Sequence, residues 1–434
     1  MRHAKRLHKI LSDLSEHPTE SVPAATETAS DSQSVYRFWS NPTVKAESIL
    51  ASHRDGVIRR SRAHEVVLAI QDTTDFSFAT HPATEGLGFI NQTKQQGIKV
   101  HSCFAVSGDG EPLGLLHQVH WSRAQRKGKK GERRRKPIEE KESYRWLSTL
   151  QAAEQDKPDS VQLIHVGDRE ADIFELFAQP RADKSDLLIR AEHNRKVQHE
   201  LGYLIPTLEQ APVVGERTIE LQRNPKRPAR EAHLQVRAMQ LTVEVPQHHP
   251  TSKPLSPLSL NAILVEEPSP PDGSTPIRWM LLTTLAISTF AEVWQYVTWY
   301  SYRWLIERFH FTLKSGCRIE ELQLRHRDRL LNALATYNIV AWRLMHLSYH
   351  ARLHPEAPCD AVLEPHEWRL LRRKFEPKNR SKTPPTLRQA IRWIAQLGGF
   401  KARTRDGEPG LKTLWRGLSR FHHLLEGAQL VRQT

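Results

Sequence analysis

Apolar residues recur at helical spacing in the opening segment, where Leu7, Ile10, Leu11 and Leu14 share one face and Arg2, Lys5, Arg6 and Lys9 surround it. The pattern predicts a basic amphipathic helix over residues 1–17. A loop rich in Ser, Thr, Ala and Glu follows to about Ser34, and past Asn41-Pro42 a second helix is expected from Thr43 to His53. From Glu65 the period changes. EVVLAIQD is a short run rich in Val and Ile, read as a buried strand ending at Asp72. VHSCFAVSGDGEPLGLLHQVHW reads as strand, turn at Gly108-Asp109-Gly110, and strand. A helix over residues 139–154 leads to the strand VQLIHVG, with Asp168 where the apolar run stops and a helix begins.

Beyond residue 198 the alternation is that of strands again, in RTIELQ, AHLQVRAMQLTVEVP, SLNAILVEE and IRWMLLTT, separated by turns rich in Pro and Gly. The interval from Asp168 to the next long helical segment is too great for the few elements that normally link a sheet to a helix. Residues 198–288 are therefore read as a β-rich insertion. LLNALATYNIVAWRLMHL then predicts a helix that closes the sheet domain, and a Pro-rich connector holds one short helix at residues 367–373. Two amphipathic helices end the chain. Leu387, Ile391, Ile394 and Leu397 on one, and Leu411, Trp415, Leu418 and Phe421 on the other, form stripes larger than the pair hides alone, so they either finish a core or meet a second copy.

The chain has 434 residues, enough for several buried cores, and Cys103, Cys317 and Cys359 are too few and too scattered for a disulfide framework or a structural zinc site. No secretory signal or membrane span is apparent, which fits a protein of the reducing cytoplasm. With 63 Lys and Arg against 49 Asp and Glu, the formal charge of +14 points to a polyanion, and to nucleic acid ahead of membrane. Tyr36-Arg37-Phe38-Trp39, the block RKGKKGERRRK at residues 126–136 and RNPKRPAR at 223–230 are candidate contacts. A small helical core explains the first as well, and solvated loops explain the other two.

The chemistry centres on WYSYRWLIERFHFTLKSGCR, residues 299–318. On a single α-helix Tyr300, Arg303, Glu307 and Lys314 fall at about 0°, 300°, 340° and 320°, one narrow outward stripe. Leu305, Ile306 and Phe309 lie opposite, with Trp304 beside them, and would hold the helix on a core. Asp72 and Asp168 both stand at the carboxyl ends of expected strands, where open α/β sheets bind ligands. Alone, Asp168 fits a helix cap and Asp72 a turn residue. Two acids at strand ends and a third on a held helix form a cluster that needs cations, because like charges within a few ångströms cannot all stay ionised unaided.

These residues match a known family. Y-x2-R-x3-E-x6-K at Tyr300, Arg303, Glu307 and Lys314, with QDTT at Gln71–Thr74 and GDREADIF at Gly167–Phe174, resembles the DDE transposases of bacterial insertion sequences. The similarity extends to YRF at Tyr36, GLLHQ at Gly114 and LGGF near Leu397. It implies an α/β fold with a ribonuclease H-like catalytic core interrupted by a β-strand insertion, an N-terminal helical DNA-binding segment and a C-terminal helical domain. The corresponding boundaries are residues 1–62, then 63–197 with 289–350 for the core, 198–288 for the insertion and 351–434 for a dimerisation domain.

By the same resemblance Asp72, Asp168 and Glu307 are the catalytic acids that hold two Mg²⁺ ions, with Mn²⁺ as a substitute. Tyr300, Arg303 and Lys314 contact the DNA backbone. Trp279, just ahead of a strand, stacks on a base flipped out during hairpin formation, with Arg190 near it. The implied partners are double-stranded DNA, as terminal inverted repeats and as target, and a second copy in a homodimeric synaptic complex at the bacterial nucleoid, with no membrane. The implied reaction is cut-and-paste transposition. Two features depart from the pattern: Phe311 stands where relatives carry a second lysine, and the N-terminal segment is expected to lack an upstream helix, leaving the stripe at Leu7–Leu14 uncovered. An N-terminally shortened, weakly active or inhibitory relative of a longer transposase is the alternative, and a junction resolvase a third reading against which length, insertion and Trp279 weigh.

Overall fold

The structure, a computed structural model, describes residues 2–91, 95–123, 136–221, 228–247, 255–403 and 406–433. Most of the basic block at residues 126–136 and most of the RNPKRPAR loop at 223–230 lie outside the described residues. Helix α1, Arg2–Glu16, buries Ile10 and Leu14 and partly covers Leu7 and Leu11, so the apolar stripe expected to be bare is packed within the chain. After the short α2, Val22–Ala25, helix α3 spans Ala29–Ser40, beginning before the expected end of the loop because Thr28 caps it: its hydroxyl accepts from the Asp31 N–H at 3.1 Å. Phe38 and Trp39 are buried, which makes them core residues rather than DNA contacts, while Tyr36 is exposed. Helix α4, Ala46–Ser61, is longer than expected.

The Val- and Ile-rich run does not stop at Asp72. Strand β1, Val66–Ser77, continues past it, paired along its length with the antiparallel β3, Gln96–Ser107. A two-residue strand, β2 (Gly88–Phe89), and β4 (Pro112–Trp121) flank β3. On its other side β1 pairs in parallel with β5, Gln162–Gly167, which pairs in parallel with β6, Ser185–Arg190. Helix α5, Tyr144–Glu154, follows a single 3₁₀ turn at Ile138–Glu140 and makes the crossover to β5. The short α6, Phe174–Ala178, lies between β5 and β6, and α7, Leu204–Gln210, follows β6.

The four strands of the expected insertion, β7 (Val213–Leu221), β8 (Arg230–Val243), β9 (Leu258–Glu266) and β10 (Arg278–Thr283), do not make a separate sheet. β10 pairs with β6, and the described strands form one ten-stranded sheet in the order β2-β3-β1-β5-β6-β10-β9-β8-β7, with β4 on β3. Extending an existing edge satisfies the backbone groups of β6 that would otherwise be exposed.

Helix α8, Phe290–Ser301, opens with a capping box at Thr289 and Glu292. It is not continuous with α9, Trp304–Phe311. At the joint Tyr302 N–H bonds back to the Trp299 carbonyl and Arg303 N–H to that of Tyr300, tightening the chain to i,i−3 bonds, while the Ser301 hydroxyl takes the Thr298 carbonyl at 2.6 Å. A second irregularity follows: residues Thr312–Gly316 form a π turn, with Cys317 N–H on the Thr312 carbonyl and the Thr312 hydroxyl on that of Arg308. The segment 299–318 is thus three pieces rather than one helix.

Helix α10, Arg327–Leu353, is apolar on nearly every side and packs on α1, α3, α4 and β4. Helix α11, Pro365–Phe375, precedes α12, Leu387–Leu397, and α13, Leu411–Gln433. The last two cross at Gly398 and Gly417: a Cβ at Gly398 would lie 1.9 Å from the Thr413 carbonyl oxygen, and one at Gly417 2.0 Å from that of Ile394. Their stripes finish the core. Trp415 is 2% exposed, its ring against Gly316 and Phe311, so the stripe centred on it is consumed inside the chain and is not a dimer surface. Cys103, Cys317 and Cys359 are buried free thiols. No described helix is long and apolar enough to cross a membrane.

Candidate active site

Adjacent parallel strands bring the first two acids level. Ile70 of β1 pairs with Val166 of β5; Asp72, within β1, and Asp168, one residue past the end of β5, each stand two residues beyond those partners, near enough for their charges to interact. Parallel pairing ends at Ile70 and Val166, so both acids lie just past it, at the carboxyl-end side where open α/β sheets bind ligands. Asp168 caps a 3₁₀ turn at Arg169–Ala171, its Oδ1 accepting from the Glu170 N–H at 2.9 Å. The cap and the placement at the strand end are thus one feature, and the element that follows is a single turn instead of the expected helix.

Asp72 has a side chain only 19% exposed. Burial is the main force that pushes its carboxyl up to about 7; Asp168 and, less, Glu307 add repulsion, against a 2.7 Å bond from the Thr73 N–H and the charge of Arg303. Glu307 reaches the site from α9 with its side chain 56% exposed and bonded by the Arg303 guanidinium. The three carboxylates feel one another without converging to within 4.8 Å as a group. Oxygen donors of this kind, with no sulfur among them, suit hard divalent ions.

The broken segment changes the expected stripe. Tyr300, on α8, is 3% exposed and faces inward, whereas Glu307, beyond the joint, faces solvent. Burial raises the Tyr300 phenol, opposed by the charges of Arg303 and Arg190, and its hydroxyl has no aligned hydrogen-bond partner. Arg190 ends β6 and donates to the Arg278 carbonyl at 3.2 Å. Trp279 lies within β10, not ahead of it; it is half-buried, with its ring 5.3 Å from Tyr300 in an edge arrangement. Lys314, on the π turn, has its ammonium 5.4 Å from the Phe76 ring of β1. Trp304 is exposed, and Phe311 lies on the Trp415 ring.

Behind the acids lie polar residues that the sequence reading did not single out. His310 Nδ1 is 3.9 Å from Asp72 Oδ2, yet burial and the Lys314 charge push the imidazole down to about 3, so the contact is one of a neutral ring with a carboxyl group. Its Nε2 is 3.4 Å from Ser102 Oγ; Gln118 donates to Ser102 at 3.0 Å, and Asn338 of α10 donates to Gln118 at 2.9 Å. On the other side Gln71, His101, Thr73, Arg145 and Glu170 form a continuous chain, with His101 held neutral by burial and by Arg145. The signal for this shell was present as His101 and Ser102 within the otherwise apolar run of β3, opposite Thr73 and Asp72.

Three family models match the chain. Residues 1–44 match the transposase DNA-binding model, residues 87–343 the transposase DDE domain, and residues 339–434 the transposase Tn5 dimerisation domain. Asp168 and Glu307 lie inside the DDE match, which spans more than half of the chain, and Asp72 lies before its start. The three matches follow one another in the order DNA binding, catalysis, self-association, and they describe a DNA-binding enzyme that dimerises and uses divalent metal ions. The chain belongs to the DDE transposases of insertion sequences.

Proposed function

We propose that this transposase moves its element by cut and paste at the bacterial nucleoid, with Asp72, Asp168 and Glu307 as the catalytic acids holding two Mg²⁺ ions, for which Mn²⁺ substitutes. One observation carries the reading: Asp72 on β1 and Asp168 at the end of the adjacent parallel β5 stand level, and the Asp72 carboxyl is raised by burial and, beyond that, by the charges of Asp168 and Glu307. Divalent ions held there would supply an activated water and relief of charge on the departing 3′-oxygen. Asp72, which feels the charges of both other acids, would hold the ions together with Asp168 and Glu307. Arg303 orients Glu307 and offsets its charge.

Water attacks the scissile phosphodiester and a 3′-hydroxyl leaves. That hydroxyl then attacks the opposite strand to close a hairpin, and after reopening attacks target DNA. Arg303 and Lys314 hold the phosphate backbone in register for these displacements, while Tyr300, expected to share that role, is buried and supports Trp279 instead. Trp279, supported edge-on by Tyr300 and near Arg190, stacks on the base displaced at the hairpin. The division of the chain at residues 62, 197, 288 and 350 assigns end recognition to the N-terminal helices and pairing of DNA ends to the C-terminal ones.

The test uses a duplex carrying the inverted repeats that flank the coding region. Asp72→Ala, Asp168→Ala and Glu307→Ala should each abolish Mg²⁺-dependent nicking and leave DNA binding equal or tighter, because a carboxylate that repels phosphate is gone. Robust cleavage by Glu307→Ala would overturn the assignment.

A further inference from the structure

Glu111 closes the turn between β3 and β4, and its carboxylate, 11% exposed, faces the C-terminal part of α10. There His346, His350 and His354 recur every fourth residue, one per turn on one side of the helix. His350 Nδ1 is 2.7 Å and His346 Nδ1 3.6 Å from the same carboxylate oxygen, Oε1, while His354 Nε2 is 4.0 Å from Oε2. Successive imidazole centroids are 5.3 and 4.6 Å apart. Among the described residues, Glu111, His346 and His350 are the one group of His, Cys, Asp or Glu whose ligand atoms all lie within 4.8 Å of one another.

A hydrogen bond from His350 accounts for one imidazole at this carboxylate, not for three. His346 Nδ1 lies 3.3 Å from the Pro112 carbonyl, a longer contact on an oxygen to which the Trp342 indole already donates at 3.0 Å. The neighbouring cation, Arg60, lies over the Trp342 ring at 4.1 Å and donates to the Leu113 carbonyl. The rings of His346 and His350 are about a quarter exposed, so an ion from solvent can reach them.

We propose that Glu111, His346 and His350 bind one divalent transition-metal ion of the Zn²⁺ class, with His354 from the next turn as the fourth ligand. Imidazole nitrogens with a single carboxylate oxygen favour such an ion over Mg²⁺ or Ca²⁺, and two histidines four apart on a helix present both rings to one point. The site is separate from the catalytic acids. Ser107 pairs with Val67 and Ser102 with Asp72, so the turn that carries Glu111 lies beside the start of β1, five positions of the ladder away from Asp72. The role is structural: the ion ties the β3–β4 turn to α10. Gly110 of that turn abuts the Tyr302 ring, which belongs to the joint between Tyr300 and Arg303, so the tie steadies the joint.

Zn²⁺ binding to the untagged full chain, with Asp72→Asn, Asp168→Asn and Glu307→Gln silencing the catalytic acids, is measured by equilibrium dialysis and by the shift in Tm. One Zn²⁺ per chain and a raised Tm are expected, with both responses lost in His346→Asn/His350→Asn. Because that pair of changes can disturb packing, Glu111→Gln is measured alongside it and should fold with an unchanged circular dichroism spectrum while binding Zn²⁺ at least ten-fold more weakly. Absence of uptake by the parent, equal uptake by parent and variants, or an equal rise in Tm with Mg²⁺ in place of Zn²⁺ each overturns the proposal.

Discussion

Replacing Asp72 by Asn should make the metal-free protein more stable at neutral pH, although it destroys the acid on which cleavage is proposed to depend. The Asp72 carboxyl rises from an ordinary 3.8 to about 7, so ionising it in the folded protein is unfavourable. Between about pH 4, where the unfolded chain loses this proton, and pH 7, the folded protein binds more protons than the unfolded one. Stability therefore falls as pH rises through that window, and the full penalty is present above pH 7. At about 1.4 kcal/mol per pH unit the penalty is about 4 kcal/mol, and the side chain is buried enough for solvent screening to leave most of it. Asn keeps the acceptor for the Thr73 N–H and carries no charge. With an unfolding entropy of about 2.1 cal/mol/K per residue, the variant's Tm should exceed the wild type's by about 4 °C at pH 8 and by little at pH 4. Thermal melts in chelator across pH 4–8 measure this. Parallel Tm profiles for the two proteins would refute the reasoning, since the raised carboxyl would then not exist.

Trp279→Ala should slow the hairpin step more than the first nick, because stacking on an unpaired base is worth about 1–3 kcal/mol; equal slowing of both steps with a sharp fall in Tm would make it a packing residue. Trp415→Ala should cost about 3–5 kcal/mol of stability through the cavity left against Gly316 and Phe311, read by denaturant unfolding. Removing residues after Pro385 should give an aggregated or partly unfolded chain, since α12 and α13 complete the core; light scattering and circular dichroism showing a folded monomer would contradict that packing.

The three acids stood out in the sequence because each sits at a change of local pattern, where an apolar run ends or a helix exposes a charge. Pairing register was not legible from one strand at a time, and it is register, Ile70 with Val166, that makes Asp72 and Asp168 neighbours. Strand β1 outran its expected end although QDTTDFS is polar on both faces apart from Phe76, because the antiparallel partner β3 pairs with it as far as Ser77. The stripe from Tyr300 to Lys314 came from assuming one helix; Ser301 and Thr312 each bond back to a carbonyl of the preceding turn, and the geometry breaks at both places. The C-terminal stripes looked too large for two helices because their other partners, Gly316 and Phe311, lie a hundred positions earlier in the chain.

A helix that is apolar on almost every side is indifferent to where along its axis it stops. Van der Waals packing alone would let α10 slide by one turn, about 5.4 Å, and still bury Leu, Ala and Val. Its few buried polar groups remove that freedom. Asn332 donates to the carbonyls of Trp39 and Val44, Thr336 accepts from the Trp39 indole, and Asn338 meets Gln118 on the sheet. Any slip would orphan all of them at once in a low-dielectric interior, a cost of several kcal/mol. These three side chains act as detents on a shaft: they set the position of the N-terminal helices, which match the DNA-binding family, against the central sheet, so that the distance between the two is fixed by hydrogen bonds rather than by grease.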